Sequence, residues 1–420
     1  MEQTIKSKPE PSSFFRWAIL VVISLAMFGN YYIYDSISPL ADLLVKQLNF
    51  SDSDIGLLQG IYSVPNIIMV LIGGIIIDKI GTRISTFVFT MLCLAGAMIT
   101  AAFTDITMMA VGRLVFGLGA ESMIVAITTV IGRWFKGKQL SFAFGLNLTL
   151  ARLGSFAALN SPTWARAFYD NYQHPLFIAT IAGLIAFVMA GIYWILDLYA
   201  ENNYSLRPVP KQDEIKFKEI FSFSRSYWFV VLLCVTFYSG IFPFQTFAVK
   251  FFIDVHGTTR EMGGFLSSML TLSAMILTPL FGLLADYIGK RSLLMMLGSL
   301  ILIPVYLLMA YTQASLYIPM AMMGLSFSLI PAVMWPSVAI IVDEAKLGTA
   351  YGLMTMIQNI GLAGFNFLIG WANDTSGGYT MGMWIFSSLG FFGLLFAFLL
   401  RKSETGSGGH GLEKGIKQSA

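Results

Sequence analysis

The strongest constraint on this chain is a succession of apolar segments, each about 20 residues long. They run over 16–39, 54–77, 84–104, 106–132, 139–165, 174–198, 225–250, 259–285, 291–311, 313–341, 347–371 and 379–400. A helix rises about 1.5 Å per residue, so roughly 20 apolar residues cross the hydrocarbon of a bilayer. Each segment is therefore read as a membrane span, twelve in all. A soluble globule fails on composition: 56% of the 420 residues are hydrophobic and 12% charged. A single interior of that size cannot hide so much apolar surface. The start, MEQTIKSKPEPSSFFR, is short and basic like a signal peptide, but no small-residue cleavage site follows it.

The polar stretch between spans six and seven, ENNYSLRPVPKQDEIKFKEIFSFSR, divides the chain. The reading is an all-α membrane protein with a six-helix half over 1–198, a linker over 199–224 and a second half over 225–402. A Gly/Ser-rich tail over 403–420 is expected to be disordered. With the N-terminus in the cytoplasm, 20 of the 26 Lys and Arg residues fall on that side and four outside. This asymmetry places both termini in the cytoplasm. The net charge of +3 gives no reason to expect a nucleic-acid partner. The two cysteines lie in apolar segments and the three histidines are scattered. They suggest no metal site, cofactor or enzyme active site.

The two halves are copies. GGIIIDKIGTR after span two matches FGLLADYIGKR after span eight. Gly74, Asp78, Gly81 and Arg83 align with Gly282, Asp286, Gly289 and Arg291 at an offset of 208. LSFAFGLNLTLARLG matches LGTAYGLMTMIQNIG at an offset of 207. A parallel repeat of six helices predicts a ligand site between the halves at mid-membrane.

Ionisable residues inside spans are costly and face the bundle interior or a wet cavity. Here they are Asp35, Arg113, Glu121 and Arg152, with Asp197 near a helix end. Glu121 is about 18 Å from the cytoplasmic end of span four, and Arg152 about 20 Å into span five. Two opposite charges thus sit at similar depth on neighbouring helices. They either pair to hold the helices together or serve a ligand. The repeat favours the ligand, because at the 207 offset Glu121 falls on Ser328 and Arg152 on Asn359. The second half manages without a pair. A carboxylate and a guanidinium beside one cavity suit a zwitterion, the guanidinium gripping a carboxylate as a fork.

Other readings stay open. Asp35, in FGNYYIYD with Tyr31 and Tyr34, either attracts cationic ligands or faces outside water. Arg113, which opens RLVFGLG, sits near the outer interface, where a long cationic side chain snorkels. Phe242 beside Pro243, and Trp335 beside Pro336, mark irregular helix. With Tyr62, Asn147, Ser328 and Asn359, they are candidates to line the cavity.

The loop pattern G-x-x-x-D-[RK]-x-G-x-[RK] resembles that of the major facilitator superfamily. The resemblance implies that Asp78 and Arg83, and more weakly Asp286 and Arg291, form a cytoplasmic latch. Tyr287 departs from the pattern in the second copy. FGNYYIYD, IYSVPN, GRLVFGLGAES, WFKGK, ARLGS, FYSGIFPF, MGLSFSL and LGTAYGLMTMIQNIGLA are similar to the branch that holds the lysosomal dipeptide transporters. That resemblance implies a dipeptide uniporter, with Glu121 at the peptide amino end and Arg152 at its carboxyl end. No acidic dileucine signal is present near the start, and the outside loops are short. The expectation is a monomer without an accessory subunit, in a bacterial plasma membrane, the lysosomal membrane being the alternative. A proton-coupled amino-acid or small-anion carrier, and a non-transporting receptor, are the competing functions.

Overall fold

The computed structural model describes residues 8–135, 139–205, 223–343 and 346–415. Among these, helix is the only regular structure. The first half comprises α1 (Ser13–Asp35), α2 (Ala41–Leu48), α3 (Asp52–Gly60), α4 (Ser63–Ala102), α5 (Ile106–Phe135), α6 (Leu140–Leu159), the single turn α7 (Ser161–Trp164) and α8 (Gln173–Asn203). The second comprises α9 (Arg225–His256), α10 (Arg260–Ile288), α11 (Arg291–Tyr311), α12 (Tyr317–Ile341), α13 (Leu347–Ser376) and α14 (Thr380–Glu404).

Eleven stretches among the described residues are long and apolar enough to cross a membrane. The twelfth expected span, 54–77, is helical but broken at Ile61–Tyr62, between α3 and α4. The loop expected after it is a kink inside α4, where Gly81 takes φ 83° and ψ 160°. Only a residue without a Cβ adopts that conformation readily. Helix starts are capped as their sequences suggest: Ser12 and Ser224 accept from N–H groups of α1 and α9, and Ser51 forms a reciprocal box with Asp54. Outward-facing apolar side chains such as Leu283, 69% exposed, suit a lipid surround.

The halves meet at the end opposite the chain termini. There Ile37, Leu44, Ile55 and Leu58 of the first half join the apolar core of the second. Charged links reinforce the closure. Arg260 donates to Asp42 at 2.6 Å, Lys250 reaches Asp52 at 3.0 Å, and Asp374 accepts from the Asp52 and Ser53 N–H groups at the start of α3. Towards the end that carries the termini the helices part. α6 and α10 touch at Leu159 and Gly264, yet a Cβ added at Gly145 of α6 or Gly282 of α10 would meet nothing within 4 Å.

Two expectations change at that end. Residues 405–410 are exposed, but the chain then packs at 411–415 rather than staying disordered: Leu412 is fully buried, and the Glu413 carboxylate accepts from the Ser292 N–H at 3.1 Å, capping α11. None of the four latch residues bridges the halves. Arg83 turns to α8, 2.8 Å from Glu201, Arg291 pairs with Asp286 at 2.6 Å, and Asp78 is exposed. The physical reason is that each arginine is paired within its own half, and the end that carries Arg291 is covered by the tail, where Glu413 accepts from the Lys290 and Ser292 N–H groups. Of the expected linker, residues 199–203 continue α8, while 206–222 lie outside the described residues, as do 416–420 of the tail.

Candidate functional site

Between the halves lies a cavity of about 270 Å³. Nine of the expected residues line it: Tyr31, Tyr34, Asp35, Tyr62, Glu121, Arg152, Phe242, Trp335 and Asn359. Close helix packing sets their positions. Gly154 of α6 lies against the Phe28 carbonyl of α1, a contact that any side chain would block. That approach brings Arg152 beside Tyr31. Its guanidinium sits between the Tyr31 and Phe327 rings, 5.5 and 5.6 Å from their centres, one ring from each half. Such stacking holds a planar cation without using its N–H donors.

Among the described residues Arg152 forms no ion pair or hydrogen bond, and Glu121 accepts one bond, from the Tyr62 hydroxyl at 3.2 Å. Tyr62 stands at the break between α3 and α4 and stacks on Phe116 at 5.2 Å. Glu121 and Arg152 therefore share a cavity without pairing across it, so no ion pair between them joins α5 to α6. Both keep bonding capacity for a ligand. Asp35 is 7% exposed and lines the same space rather than outside water. No group of three His, Cys, Asp or Glu among the described residues could hold a metal.

Asn147 and Ser328 are not in the cavity wall. Asn147 donates to the Ser24 hydroxyl at 2.9 Å in the α1–α6 interface, and the Ser328 hydroxyl donates to the Gly324 carbonyl at 2.8 Å, fully buried. One residue turns a helix by about 100°. Phe327 thus faces the ligand space where Ser328 cannot, and α6 presents Gly145, Leu148, Thr149 and Arg152. Counting three, four and seven residues back from Arg152 finds that face. The same stepping finds two uncharged lining residues outside the candidates named above, although the quoted motifs contain them: Asn30, four before Tyr34, and Tyr238, four before Phe242.

Arg113 is neither near the surface nor in the cavity wall. It is 1% exposed and donates to the carbonyls of Ile33, Tyr34 and Leu58 and to the Gln59 side chain, at 2.9 to 3.3 Å. These acceptors sit at the ends of α1 and α3, where carbonyls lack intrahelical partners. A cation there also meets the negative ends of two helix dipoles.

Past Arg152 the space continues into a second cavity of about 330 Å³ between α6, α10 and α12. Arg152, Tyr238, Phe327 and Trp335 border both. Leu148, Ala274, Met275, Pro279 and Pro331 make the second one largely apolar.

Comparison with known proteins agrees with this architecture. The family model of the Major Facilitator Superfamily matches residues 23–361 and 244–419. A protein of Danio rerio, "Lysosomal dipeptide transporter MFSD1", is 33% identical over 378 residues, 86% of this chain and 81% of its own length. The Homo sapiens protein of that name is 30% identical over 407 residues, covering 93% of this chain and 88% of its own. Among solved structures, a bacterial homolog of the human lysosomal transporter Spinster, inward-facing and occupied, superposes with a TM-score of 0.73 at 14% identity. It covers 93% of this chain and 98% of that one. The chain belongs to the Major Facilitator Superfamily and is a multi-pass membrane transporter.

Proposed function

We propose that this transporter carries dipeptides by alternating access, as a uniporter. In this reading the Glu121 carboxylate takes the peptide ammonium and the Arg152 guanidinium its carboxylate. The observation that carries it is the lack of an ion pair between two opposite charges that line one cavity between the halves. Two residues of extended chain span at most about 7 Å, so a ligand of this size can bridge charges that do not touch. The relatives named as dipeptide transporters, similar over most of the chain, support the same ligand class.

The excess of Lys and Arg on the side of the termini favours a cytoplasmic open end. The structure would then be the inward-facing state, and Asp78, Arg83, Asp286 and Arg291 would approach one another when that end closes. A monomer in a bacterial plasma membrane, without an accessory subunit, remains our reading; the lysosomal membrane is the alternative. A proton-coupled anion carrier gripping its substrate with Arg113 and Arg152 loses support, because Arg113 is not in the cavity wall and its described donor contacts go to Ile33, Tyr34, Leu58 and Gln59.

The test is uptake of labelled Ala-Ala into proteoliposomes. Saturable uptake that does not respond to an imposed pH gradient is expected. Flux of free amino acids with none of the dipeptide would overturn the reading.

A further inference from the structure

Arg152 lies on the boundary between a polar cavity and an apolar one. The following step rests on the proposal that Arg152 binds the peptide carboxylate. A carboxylate and the side chain of the C-terminal residue share one Cα. Gripping the first therefore puts the second within a few ångströms of the guanidinium. On the Glu121 side the wall is lined by Asp35, Tyr31, Tyr34 and Tyr62. On the other side it is lined by Leu148, Ala274, Met275 and two prolines. The two ends of a dipeptide thus meet different chemistry, and the order of its residues matters.

We propose that the cavity between α6 and α10 is a subsite for a large apolar C-terminal side chain, and that it exists only in this conformation. The second part follows from how the cavity arises. α6 and α10 touch at Leu159 and Gly264 and diverge from there. Closing the open end must bring their separated parts together and remove the space. A side chain lodged there stabilises the open state and opposes its closure, because a ligand that binds one state better shifts the population towards it. Dipeptides with a bulky apolar C-terminal residue bind tightly and are carried slowly. Those with a small C-terminal residue bind less tightly and turn over faster.

Sequence isomers isolate the effect, since Ala-Trp and Trp-Ala have the same charge and composition. Burying an indole in the subsite makes Ala-Trp bind about tenfold or more tightly than Trp-Ala. Its maximal flux in proteoliposomes is correspondingly lower. Gly145→Leu fills the subsite from α6, where an added Cβ meets nothing, and leucine is a better helix former than glycine. Ala274→Leu fills it from the opposite wall, in case the first variant folds poorly. Either substitution brings the binding ratio of the isomers to within twofold. Equal affinities in the unmodified protein, or a ratio that survives both substitutions, overturn the subsite. Equal maximal fluxes overturn its restriction to this conformation. If no dipeptide binds at all, the underlying dipeptide reading falls and the subsite with it.

Discussion

The two halves of this transporter share a fold and differ in charge. The four ionisable residues well inside the spans, Asp35, Arg113, Glu121 and Arg152, all belong to the first half. At the repeat offset of 207, Glu121, Arg152 and Arg113 fall on Ser328, Asn359 and Met320. The backbones differ in step. In the first half α1 ends at Asp35, and the next span breaks at Ile61–Tyr62. In the second, α9 continues through Pro243 to His256, and α10 runs unbroken over Arg260–Ile288. Arg113 donates to the carbonyls that those first-half ends leave open, whereas Met320 is buried beside continuous helices. The comparison separates two kinds of intramembrane charge. One completes a broken backbone. The other, Glu121 and Arg152, lines the cavity, and in our proposal serves a ligand. The neutral second half offers rings and amides to the cavity, Phe242, Trp335 and Asn359 among them.

Moving a charge across the pseudo-symmetry is the most severe way to break this comparison. Ser328→Glu places a carboxylate in a fully buried position, where the only described bond of the serine hydroxyl is to the Gly324 carbonyl. Such burial costs several kcal/mol, so size-exclusion profiles are expected to show little folded protein. A monodisperse, stable variant would mean that the second half tolerates charge as well. Arg113→Met makes the first half resemble the second, removes a donor from four acceptors and strands the Leu58 carbonyl and the Gln59 side-chain oxygen. A loss of about 3–5 kcal/mol is expected, read as a large drop in melting temperature without ligand. An unchanged melting temperature would remove the distinction between the two kinds of arginine. Arg152→Ala should do the reverse. Its unliganded melting temperature stays close to that of the parent. Dipeptide affinity falls by about 10- to 100-fold, the loss of a charged bond of about 1.5–3 kcal/mol. Stabilisation by dipeptide as strong as in the parent would refute the assignment. The smallest effect is expected for Tyr62→Phe, which removes the one hydrogen bond to Glu121. Affinity should change by about fivefold, roughly 1 kcal/mol, with little change in stability.

Much of this organisation is legible in the amino-acid order. Apolar run length marks the membrane segments, and the matched loops at Asp78 and Asp286 reveal the repeat. Charge in hydrocarbon singles out Glu121 and Arg152, because such groups must face an interior. Legibility ends where one helix depends on another. Periodicity gives the spacing of a helical face but not its direction, and for that reason Ser328 and Asn147 point into packing while Phe327 and Leu148 face open space. The break at Ile61–Tyr62 carries no strong local signal. It is completed by an arginine some fifty residues later in the chain. The tail reads as disordered from its glycines, yet Leu412 and Glu413 find a socket beside α11 that only the assembled half creates. The sequence by itself determines a two-fold-repeated membrane bundle with two opposite charges at its centre. The tertiary structure alone decides that these charges stay apart, that Arg113 serves the backbone, and that an apolar space opens beside Arg152. All three turn on how the helices lie against one another.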